Sequence, residues 1–95
     1  MPLFHDPEIP SKEIENLTVK LKRLIENENQ TDYKVFEIVL SRTPIRQGLF
    51  YLLKIKTGLN EYIHAQVFLP NDAGMEMSIK SVKPAFEEDE LLVFF

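Results

Sequence analysis

After Tyr33 the spacing of apolar residues changes from helical to alternating, and the alternating runs that follow are joined by connections of only a few residues. This excludes most architectures. A parallel crossover needs a dozen or more residues between strands, so strands that follow one another this closely can pair only antiparallel. Phe36, Ile38 and Leu40 alternate with Glu37, Val39 and Ser41 in a first strand that ends at Pro44, which cannot donate to a ladder. Leu49, Tyr51, Leu53 and Ile55 alternate with Phe50, Leu52, Lys54 and Lys56 in a second. That run is apolar on both sides at its start and polar on one side later, the pattern of a strand buried at one end. Gly58-Leu59-Asn60 makes a turn, and Ile63, Ala65 and Val67 alternate with His64 and Gln66 in a third strand. Pro70 to Gly74 reads as a loop, Met75 to Val82 as a fourth strand, Pro84 to Glu90 as an acidic connection and Leu91 to Phe95 as an apolar tail.

Before the switch lies one amphipathic helix, expected over residues 12–28. Ser11 is placed to cap it, Glu13 and Glu15 sit in its first turn, and Ile14, Leu17, Leu21, Leu24 and Ile25 recur at helical spacing. The polar face mixes both signs, which suits packing on a sheet better than lying on a membrane. Residues 1–10 contain Pro2, Pro7 and Pro10 and form an extended arm. Read alone, the arm is a frayed terminus; the other reading is an arm that brings Leu3 and Phe4 to a partner. The expectation is one α+β domain over residues 1–95, with an antiparallel sheet of four to five strands in residues 33–95 wrapped around one helix.

A chain of 95 residues, 44% apolar, has enough material for one core that buries roughly 60 to 65% of the unfolded surface. Its net charge of −4, with Lys and Arg scattered among acids, argues against nucleic acid as partner. With no Cys there is no disulfide, thiol nucleophile or thiolate metal site, a composition that suits the cytoplasm. No stretch has the apolar length of a signal peptide or a membrane span. His64 reads as a residue on the wetter face of the sheet rather than a catalytic base, and His5, Asp6 and Glu8 sit on an arm too loose to preform a cation site. No phosphate-cradling glycine loop or zinc spacing occurs. The expectations are therefore no enzyme, no catalytic residue, no metal, no cofactor and no membrane partner.

What remains is the placement of connections. In a four-strand meander the turn Pro44-Ile45-Arg46-Gln47-Gly48 and the loop after Leu69-Pro70 lie at one end of the sheet, and the arm can reach that end too. Leu3, Ile45 and Leu69-Pro70 then line a narrow apolar wedge suited to a cleft.

The chain resembles the cystatin family of cysteine-protease inhibitors in its small, disulfide-free stefin branch. The resemblance is carried by Glu13-Ile14 at the helix start, Gly48 to Ile55, Tyr62 to Phe68, Leu69-Pro70 and Asp89-Glu90-Leu91. It implies a cystatin-like fold and reversible blocking of papain-like (cathepsin-type) proteases by an N-terminal arm and two hairpin loops. The residues it implicates are Pro2, Leu3, Phe4, Pro44, Ile45, Arg46, Gln47, Gly48, Leu69 and Pro70. The departures fall on the working parts. Where the family's first loop usually reads Gln-Val-Val-Ala-Gly, this chain has Pro44 to Gly48, keeping only the glycine; the arm has no glycine; and the second loop is about two residues shorter. Arg46 in a cleft costs several kcal/mol of desolvation unless a carboxylate receives it. A stefin-fold interaction module with weak or no inhibition is thus the alternative.

The long hairpin with its short hinge at Pro44 to Gly48 also predicts a monomer able to exchange into a domain-swapped dimer. Gel filtration of fresh and heated protein checks this: a dimer fraction is expected after heating, and monomer alone in both samples contradicts it.

Overall fold

A computed structural model describes residues 3–45, 50–69, 77–85 and 91–93. The elements run α1 (Lys12–Glu15), α2 (Thr18–Asn29), β1 (Glu37–Arg42), β2 (Tyr51–Gly58), β3 (Glu61–Phe68) and β4 (Ser78–Ala85). All strand pairs are antiparallel, in the order β1-β2-β3-β4. The α+β reading with a helix across an antiparallel meander is the fold observed.

The helical segment departs from the expected single helix. Ser11 does cap it, its Oγ accepting from the Ile14 N–H at 3.3 Å. At Asn16-Leu17 the helix then tightens: the Leu17 N–H donates to the Ile14 carbonyl at 3.0 Å, and the Thr18 hydroxyl donates to the Glu15 carbonyl at 2.6 Å. A Thr side chain competes for backbone partners in this way, here where the helix divides although its apolar spacing is unbroken. α2 ends at Gln30, whose φ of 51° is left-handed, and the Thr31 N–H returns to the Glu26 carbonyl.

The apolar spacing nevertheless chose the right face. Ile14, Leu21 and Ile25 are buried against Ile38, Leu53, Ile55, Ile63, Ala65 and Val67, with Leu17 and Leu24 packed around them. These strand residues stand opposite one another in the ladders (Ile38↔Ile55↔Ile63, Leu53↔Ala65) and so share the sheet face turned to α2.

The first strand's alternation needs correction. Ile38 pairs with Ile55 but Leu40 pairs with Lys54, so Val39 is an extra residue in β1. Such a bulge reverses which face every later residue takes. Leu40 therefore leaves the helix side and packs with Phe4, Leu52 and Leu92 in a second cluster on the outer face, while Ser41 turns inward opposite Leu53. The fourth strand also differs from expectation, running on through Pro84 to Ala85; β4 is an edge strand, where a missing N–H is tolerated. His64 is not on a wet face: it is fully buried on the outer side of the sheet, between Lys54, only 2% exposed, and Lys83. Beside it Gln66 Nε2 donates to Ser81 Oγ.

Leu53, fully buried between sheet and helix, sets the scale of the core. Leu53→Ala is expected to lower unfolding free energy by about 2 to 5 kcal/mol. A urea midpoint shifted by less than the lower bound would show that this packing is not a main support.

Candidate functional site

The arm lies antiparallel along the free edge of β1. Glu8 and Ser41 exchange both backbone hydrogen bonds, at 2.9 and 2.8 Å; the His5 N–H donates to the Thr43 carbonyl at 2.8 Å; and the Ile45 N–H donates to the Leu3 carbonyl at 2.9 Å. Phe4 and Pro44 face each other between the last two bonds. Because those bonds use Thr43 and Ile45, the missing N–H of Pro44 costs the arm nothing.

This pairing separates the two apolar residues of the arm. Phe4 is turned into the sheet and buried, 5% exposed, on Leu52 and Leu92 with Leu40 beside it. Leu3 stays 46% exposed, next to Ile45, which is exposed to the same degree. Two open apolar side chains thus stand together where the arm and the first turn meet, held by a backbone bond. Arg42 reinforces the junction: its Nε donates to the His5 carbonyl at 2.8 Å and its guanidinium carbon lies 5.7 Å from the centre of the Phe4 ring.

Leu69 lies at the same end of the sheet, two residues beyond the Val67 to Tyr51 pair, with β2 between it and the first turn. It is half-buried and packs against the main core. Of the expected site residues, the structure thus brings Leu3, Phe4, Pro44 and Ile45 into direct register and puts Leu69 at the same end. Pro2, Arg46, Gln47, Gly48 and Pro70 lie outside the described residues.

Four residues near this rim are not marked as site residues by the sequence. Phe50 and Phe68 make an edge-on ring contact at 6.0 Å where β2 begins and β3 ends, and Lys80 Nζ lies 4.6 Å from the Phe50 ring centre. Their signal was the two-sided apolar start of β2. Arg42 is the fourth. His5, Asp6 and Glu8 are exposed along the arm, and among the described residues no group of three or more His, Cys, Asp or Glu is placed to hold a metal ion. Among the same residues no helix is long and apolar enough to cross a membrane.

No family model matches the chain. It is, however, 31% identical over 85 residues to Cystatin-A1 of Sus scrofa, an alignment covering 86% of this chain and 82% of that protein. The chain belongs to the stefin branch of the cystatins. Leukocyte cysteine proteinase inhibitor 1 of Sus scrofa is 29% identical over 91 residues, covering 94% of this chain and 88% of that protein. Stefin-C of Bos taurus is 27% identical over 71 residues, covering 73% and 70%. Membership in a family of inhibitors makes this stefin a binding protein and not an enzyme.

The arm of this stefin is held by one buried ring, a few backbone bonds and the Arg42 side chain, so its attachment is local. Phe4→Ala is expected to speed amide exchange at His5 and Ile45 while leaving the β2–β3 amides unchanged. Unchanged exchange at both positions would show that the ring does not hold the arm.

Proposed function

We propose that this stefin is a reversible, cleft-blocking inhibitor of papain-like cysteine proteases, with the arm, the first turn and the second loop as its contact edge. The observation that supports this reading most is the Leu3 to Ile45 backbone bond, which sets two exposed apolar side chains side by side on a narrow rim. The naming of a relative as a cysteine proteinase inhibitor supports the target class. Its cysteine-free composition suits work in a reducing compartment such as the cytoplasm.

Magnitudes decide how well such an edge binds. Fully burying a large aliphatic side chain contributes about 1.5 to 3 kcal/mol, so Leu3 and Ile45, each already half-covered, together supply roughly that much. An unpaired Arg46 pressed into the same cleft costs as much or more. Affinity is therefore set by whether the target offers a carboxylate at that point, and the stefin discriminates among proteases by this charge. Where none does, the alternative applies, a stefin-fold interaction module that binds another protein and inhibits weakly.

The test is a panel of papain-like proteases titrated with the full chain. Inhibition of papain or a cathepsin-type enzyme is expected at micromolar protein or below. Gly48→Arg and removal of residues 1–4 should each weaken it at least about tenfold, a loss of about 1.4 kcal/mol. Arg46→Ala should tighten binding to targets with no acid facing the turn and weaken it where one does. No inhibition across the panel overturns the reading.

A further inference from the structure

We propose that Arg42 is the positioning residue of the contact edge, clamping the arm so that Leu3 stands beside Ile45. The inference rests on the reading of that edge as the protease-binding surface and assigns a role to a residue outside it.

Arg42 is the last residue of β1, on the outer face opposite Leu52. Its guanidinium joins three parts of the chain that are distant in sequence. Nε donates to the His5 carbonyl on the arm at 2.8 Å, and Nη1 donates to the Leu92 carbonyl in the C-terminal segment at 2.9 Å. Its guanidinium carbon also lies over the Phe4 ring, 5.7 Å from the centre. Leu92 in turn is buried with Phe4 and Leu52. The arm, the end of β1 and the C-terminal segment thus meet at one cation.

The arm needs such a clamp. Residues 5–9 are exposed, so the bonds at Thr43 and Ile45 are open to competition from water, and neutral bonds of that kind contribute little net stability. A charged donor makes stronger bonds, and a planar fork can satisfy two carbonyls and a ring face at once where an ammonium cannot. Two of the donors of Arg42 already serve the chain's own carbonyls, so the residue acts through the arm.

The test is a double-mutant cycle in the full chain, read as inhibition constants for papain, pairing Arg42→Met with Leu3→Ala; Leu3 is exposed and its truncation leaves the fold intact. Arg42→Met is expected to weaken inhibition about tenfold in the natural background and by much less once Leu3 is truncated, with Arg42→Lys in between. Equal losses in both backgrounds, or none in the first, overturn the proposal. Amide exchange at His5 and Ile45 separates this idea from the proposed function. If the natural chain does not inhibit papain, that function fails for papain, and the clamp is still decided. Arg42→Met must then speed exchange at both amides with the β2–β3 amides unchanged, and unaltered exchange refutes the clamp.

Discussion

The extra residue in β1 determines where the arm can go. With Val39 inserted between Ile38 and Leu40, the strand offers Ile38 to the helix and then, one step off the simple alternation, Leu40 to the opposite face. Leu40 and Leu52 there form an apolar floor on which Phe4 and Leu92 can settle. A strand in plain register would have sent Leu40 to the helix side and Ser41 outward, leaving the arm a weaker seat. The bulge therefore does more than bend a strand, because it divides the apolar residues of the sheet between two layers. The larger layer packs the sheet on the helix and the smaller one seats the arm.

Laying the arm along β1 serves a second purpose. The free edge of a sheet is a template for pairing with another chain, and here the arm occupies the N–H and C=O groups of Ser41, the carbonyl of Thr43 and the N–H of Ile45. At the other edge, β4 carries Lys80, Lys83 and Pro84, residues that discourage further pairing. The backbone bonds that cover the first edge also align Leu3 with Ile45, so one set of contacts does both.

How much of this could be read from the sequence follows from which forces leave periodic marks. Burial against the helix does, and it revealed α2, the four strands and the inward residues from Ile14 to Val67. Connection length does too, and it puts the start of the first turn and Leu69 at one end of the sheet. A bulge leaves no such mark: Val39 has the same character as its neighbours, and only the register with β2 shows that it is supernumerary. The helix break was hidden for a related reason, since Thr18 fits a polar position of a continuous helix and bonds instead to the Glu15 carbonyl. The sequence places His64 on the wetter face because a polar side chain alternating with apolar ones usually marks one. That rule fails where another layer covers the sheet, and covering by distant segments is a long-range property that a local pattern cannot contain.

A site built this way can tolerate change in its own sequence. The bonds that bring the arm to the first turn run from backbone to backbone, and a proline at position 44 is accepted because its nitrogen is not used. The pairing of Leu3 with Ile45 therefore does not depend on which side chains those two positions carry. The positions under constraint shift inward, to the groups that make the pairing possible: Leu40 and Leu52 as floor, Phe4 and Leu92 as anchors, and Arg42 where they meet. On the proposed reading, the place where Leu3 meets Ile45 is set by residues that need not touch the target.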